Sequence, residues 1–102
     1  MTREEAIETL EQHRHRIDAL DVKILDLLNA RTEVVGEIGR VKQSASMPVY
    51  EPKREDEVYR NITANNRGPL GNDAVKRVFE RIIDEMRTVQ KERMKDQGSS
   101  GC

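Results

Sequence analysis

The stretch HRHRIDALDVKILDLLNARTEVVGEIGRVKQ, residues 13–43, decides the fold. Set out in sevens, with Leu10 added, it falls into rows. One row is Leu10, Ile17, Ile24, Arg31 and Ile38; a second is His13, Leu20, Leu27, Val34 and Val41. A third row flanks them: Arg14, Asp21, Leu28, Val35 and Lys42. This spacing places the rows on one core-facing side of an α-helix. No proline interrupts residues 2–43, and Gly36 and Gly39 are the only breakers there. Thr2 and Glu5 form a capping-box pair, each able to satisfy a free backbone N–H. The pattern predicts one helix of about 40 residues.

Outward from that helix, SASMPVYEP (44–52) holds Pro48 and Pro52 and loses the helical period, which marks a loop. A second helix is expected from Pro52, a favoured first-turn residue, to about Asn66. RGPLGN (67–72) is a second loop. Asn72 then stands as the N-cap of a third helix whose last turns carry Lys91, Arg93 and Lys95, cations that suit a helix C-terminus. Nowhere do Val, Ile and Thr alternate with polar residues long enough for a strand. The expected fold is all-α, with three helices in one domain over residues 1–97 and a flexible tail or linker, GSSGC, at 98–102.

Composition narrows the function. The 18 basic residues nearly cancel the 19 acidic ones, for a net charge of -1. A generic binder of nucleic acid or anionic membrane needs a cationic surplus. With no long apolar run and no charged-then-apolar leader, a cytoplasmic protein is expected. One cysteine, Cys102, rules out an internal disulfide and a Cys-based zinc site. His13 and His15, two apart, point different ways on a helix and make no metal pair. Phosphate-cradling glycine loops and nucleophile–base arrangements are equally missing, so neither metal nor cofactor is expected.

The long helix also implies a partner. Forty residues span roughly 60 Å, whereas a compact chain of this size has a radius of gyration of about 13 Å. Two shorter helices cannot cover such a rod, so a second copy of the chain is the simplest cover.

Several polar side chains sit inside the apolar rows. Arg31 lies between Ile24 and Ile38 and must meet an anion there, because burying an unpaired guanidinium costs several kcal/mol. That anion is either a structural acid or a bound carboxylate or phosphate. Lys42 follows about 16 Å along the axis, and Arg14 precedes Arg31 by about 25 Å and Lys42 by about 42 Å. Arg14 therefore cannot share a small ligand with them in one chain, but it can across an antiparallel dimer. In the second helix Glu55 heads a stripe with Val58, Tyr59 and Ile62, and Arg54 stands beside it. In the third, Gln90 ends a stripe of Val75, Val78, Phe79, Ile82, Ile83, Met86 and Val89. Cations, an acid and an amide on core faces describe a polar pocket in a helical bundle. Such a pocket, lacking a nucleophile, suits a reaction that needs only positioning and charge stabilisation.

These residues resemble the all-helical AroQ class of chorismate mutases. The stretches that carry the resemblance are HRHRIDALDVKILDLLNAR (13–31), IGRVKQ leading to Lys42, PVYEPKRE (48–55) and NNRGPLGNDAVKRVFERIIDEMRTVQ (65–90). The GPL loop is similar to that of mutase domains associated with DAHP synthases, which adds such a synthase as a candidate partner in trans. The resemblance implies an intertwined homodimer that converts chorismate to prephenate without a cofactor, on the route to phenylalanine and tyrosine. By position, Arg14 from the partner subunit and Arg31 would bind substrate carboxylates. Lys42 would contact a carboxylate and the ether oxygen, and Gln90 would donate to that oxygen. Glu55, with the backbone near Glu51, would hold the ring hydroxyl, and Arg54 would add positive potential. Met86 stands where many members carry a serine that contacts the ring carboxylate, and Glu51 where an aspartate is usual. An isochorismate pyruvate-lyase on the same scaffold and a non-catalytic dimerisation module are the alternatives.

Overall fold

The structure, a computed structural model, describes residues 1–100, with side chains as far as Arg93. The side chains beyond Arg93 and residues 101–102, on which the expected tail with Cys102 depends, lie outside the described residues. Three helices follow one another: α1 (Arg3–Ser44), α2 (Pro52–Asn65) and α3 (Asn72–Ser100). At the start of α1 the Glu5 amide donates to Thr2 Oγ1 at 3.1 Å, one half of the capping box. None of the helices in the described residues is long and apolar enough to cross a membrane.

The chain divides into two compact units, Met1–Glu33 and Val34–Cys102. The first is a single helical rod whose apolar rows stay open: Leu10 is 48% exposed and Leu27 71%. In the second unit α2 packs on α3. The core there is small, with Val35, Ile83 and Met86 as its buried hydrophobic residues. On α2, Glu55, Val58, Tyr59 and Ile62 share the half-buried face, as their spacing requires. Val78 departs from the expected α3 stripe, since it lies at the margin and is half exposed.

Two turns place the site. Helix α1 ends in a Schellman motif: the Met47 amide donates to the Lys42 carbonyl at 2.7 Å, and the Ser46 amide to the Gln43 carbonyl at 3.2 Å. Ser46 holds the left-handed position with φ 56°, where glycine is usual. The turn reverses the chain directly after Lys42. The second turn is organised by Asn66. Its Nδ2 donates to the Leu70 carbonyl at 2.8 Å and to Asn72 Oδ1 at 2.7 Å, while its Oδ1 accepts from the Gly68 amide at 2.9 Å. The expected capping role of Asn72 is thereby altered. Asn72 is the first residue of α3, and its side-chain oxygen serves Asn66.

A left-handed residue with a Cβ is strained by about 1 kcal/mol. Ser46→Gly should therefore raise unfolding free energy by roughly 0.5–1 kcal/mol, after the added entropy of the unfolded chain is deducted. Urea denaturation measures this, and a destabilised variant would contradict the Schellman assignment.

Candidate active site

Lys42 is the last inward-facing residue of α1 before the turn, and it is buried, with 8% of its surface exposed. An ammonium in that position must find acceptors. Its Nζ donates to the Val49 carbonyl at 3.0 Å and pairs with Glu51 Oε1 at 2.7 Å. Both acceptors come from the loop that the Schellman turn folds back. Glu51 is also the residue preceding α2, yet its carboxylate makes no capping bond to that helix. Its side chain is committed to Lys42.

Gln90 approaches from α3. It is as buried as Lys42, and its Oε1 has no hydrogen-bond partner among the described residues. A half-turn of the amide exchanges this acceptor for the NH₂ donor, so the position can serve either polarity. Gln90 lies against Gly39, where a Cβ would be in ordinary contact with it, 3.5 Å from Gln90 Cγ. Because Gly39 precedes Lys42 by three residues, it lies about 4.5 Å down the axis and on the same side of α1. The buried amide is therefore brought within one helical turn of the buried ammonium. Gly36, one turn earlier, is passed closely by the Arg93 guanidinium. The two breakers in the α1 pattern are thus places where α3 side chains cross the helix.

Below them, Glu55 of α2 forms an ion pair with Arg87 of α3, and both side chains are less than a third exposed. The hydrogen bond that it donates to the Glu55 carboxylate holds the Arg87 guanidinium above its usual range, against the opposing effect of burial. The Arg87 guanidinium also lies 4.9 Å from the centre of the Tyr50 ring, a cation–π contact that ties α3 to the loop. Tyr59, one turn beyond Glu55, has its phenol pushed up, first by burial and then by the charge of Glu80.

The residues singled out in the sequence separate into groups. Lys42 and Glu51 are in contact. Gln90 and Met86, four residues apart, share a buried face of α3, and Glu55 is held by Arg87. Arg54 is exposed and pairs with Glu57 at 3.2 Å. Arg14 and Arg31 belong to the Met1–Glu33 unit, where Arg14 is exposed and Arg31 half-buried. Arg87 and Tyr50 were not anticipated. Arg87 follows the buried Ile83 by four residues, so the criterion that selected Arg31, a cation on an apolar face, selects Arg87 as well. An open hollow of about 400 Å³ borders Lys42, walled by Val34, Ile38, Val41, Met47 and Glu37. Among the described residues no cluster of His, Cys, Asp and Glu has a geometry that could hold a metal.

The chain is similar to several known proteins. A family model for chorismate mutase type II matches residues 13–91. The bifunctional chorismate mutase/prephenate dehydratase of Neisseria gonorrhoeae is 39% identical over 84 residues, 82% of this chain and 23% of that protein. The crystal structure of chorismate mutase from Helicobacter pylori in complex with prephenate superposes with a TM-score of 0.81 at 31% identity, covering 86% of this chain and 96% of that one. Chorismate mutase from Thermus thermophilus, in its form II structure, gives a TM-score of 0.79 at 31% identity, covering 81% and 94%. The chain spans about a fifth to a quarter of the length of the curated bifunctional relatives it matches.

The Arg87–Glu55 pair should matter for stability. Arg87→Met leaves a partly buried carboxylate without its donor and should lower unfolding free energy by about 1–2 kcal/mol. Chemical denaturation reads the difference, and an unchanged midpoint would mean that the pair is not formed in solution.

Proposed function

This chain belongs to the chorismate mutase type II family, and from that premise we propose that it is an enzyme converting chorismate to prephenate. The observation that carries the reading is that one ammonium, Lys42, and one amide, Gln90, are both buried in the same compact unit beside a small aliphatic core. The substrate is a dianion with an ether oxygen that gains negative charge as its C–O bond breaks ahead of C–C bond formation. A fixed ammonium and an amide N–H directed at that oxygen stabilise the transition state more than the ground state. No nucleophile takes part, because the rearrangement is unimolecular.

In this mechanism Lys42 contacts a carboxylate and the ether oxygen, and Gln90 donates to the same oxygen. Arg31 binds a carboxylate through its planar fork. Glu55, kept in place by Arg87, accepts from the ring hydroxyl, which the backbone near Glu51 also helps to hold. Arg54 contributes positive potential from the rim. Met86 supplies apolar contact to the ring in the position where a serine is usual. Binding the flexible side arm over the ring supplies the orientation.

The site is completed by a second copy of the chain. Leu10, Ile17, Leu20, Ile24 and Leu27 are each about half exposed or more along α1, and an antiparallel α1 from another subunit would cover them. That arrangement brings the partner's Arg14 to the far end of the helix, where a substrate carboxylate needs a cation.

The purified chain should consume chorismate and yield prephenate, followed by loss of chorismate absorbance and by product analysis. Gln90 does not titrate, so the rate should be nearly flat around neutral pH. In Gln90→Glu only the protonated acid can donate, so activity should appear as the medium is acidified. No acceleration over buffer would refute the activity, and release of pyruvate from isochorismate in its place would point to the lyase.

A further inference from the structure

The loop between α1 and α2 carries a carboxylate of its own onto Lys42. Two features make this contact unequal on its two sides. The lysine side chain is 10% exposed and is also held by the Val49 carbonyl, whereas the Glu51 side chain is 41% exposed. Glu51 makes no capping bond to α2 that would fix it there. The ammonium is built in, and the carboxylate stands at the solvent edge.

We propose that Glu51 is an internal competitor for the anion site of Lys42: it holds the ammonium when no ligand is bound and swings into water when a ligand carboxylate arrives. The inference rests on the reading of Lys42 as a substrate-binding group. A buried ammonium without an anion is strongly unfavourable, and Glu51 supplies that anion to Lys42 from within the chain. A half-exposed carboxylate can serve because water solvates it again on release. The stand-in weakens ligand binding, since apparent affinity falls with the fraction of chains whose Lys42 is free. The displaced charge also remains close to a doubly negative ligand, which adds repulsion.

Side-chain length is the discriminating variable. Aspartate at 51 is one methylene shorter and is a strong N-cap, so its carboxylate would turn to the free amides of α2 and leave Lys42. It keeps the charge while removing the contact. Glutamine keeps the length while removing the charge. A competitor that acts by direct contact is weakened by both changes, and a general charge effect only by the second.

The test is the steady-state kinetics of chorismate consumption by the full chain and by its Glu51→Asp and Glu51→Gln variants. Both substitutions should lower KM by roughly three- to tenfold, with kcat changed far less. Glu51→Asp should in addition melt at a lower temperature, because Lys42 loses its anion and the new cap offsets only part of that loss. KM unchanged or raised in either variant would overturn the inference, including the case in which only Glu51→Gln improves binding. An original chain active on chorismate with such a flat series removes this inference alone, whereas an original chain inactive on chorismate removes the proposed function and this inference with it.

Discussion

A positive charge at the C-terminal end of α1 has to be satisfied away from bulk water, and much of the Val34–Cys102 unit follows from that requirement. The helix ends within three residues of Lys42, and its terminal carbonyls favour a cation there. They do not supply the hydrogen bonds the ammonium needs. Those come from Val49 and Glu51, which are within reach only because the chain reverses at Ser46. The direction in which α2 begins is thus tied to the same ammonium. Glu51 stands at the first turn of α2 and gives up capping to meet Lys42.

The rest of the polar seam is assembled by α3. Gln90 lies against α1 at Gly39, and Arg87 reaches across to Glu55 and over Tyr50. Between these contacts the aliphatic residues Val35 and Ile83, with Met86, exclude water. An unpartnered buried amide oxygen is unfavourable by about 1–3 kcal/mol. A fold that keeps one at Gln90 beside a buried ammonium is arranged for something polar that is not part of the chain. In the proposed reaction the amide turns its NH₂ toward the ether oxygen of a dianion, and no covalent bond to the protein forms.

Much of the fold was legible because helix signals are local. The Thr2–Glu5 pair, the proline at 52 and the glycine-rich loop at 67–72 mark boundaries that the structure reproduces to within a few residues. Lys42 and Gln90 were legible for a related reason, since a polar residue at an apolar position in a 3.6-residue repeat must be buried or displaced. What escaped depends on tertiary geometry. A Schellman turn built on Ser46 gives no glycine to read. The nine residues from Lys42 to Glu51 cross a loop whose path the sequence does not encode in any period. Asn72 looks like a cap until Asn66 is seen to take its side chain. The apolar rows that the sequence sets out along α1 are exposed in the Met1–Glu33 unit.

The claim at the centre of this account is that the Lys42 ammonium is retained for a substrate and is not merely a tie between α1 and the following loop. Lys42→Met separates the two, because methionine fills the aliphatic volume of the side chain without the charge. Measured on chorismate, kcat/KM should fall by about a hundredfold or more, as for the loss of one donor to a developing oxyanion, while far-UV helicity is retained. A variant that folds and keeps kcat/KM within about threefold of the original, far short of that loss, would contradict the account.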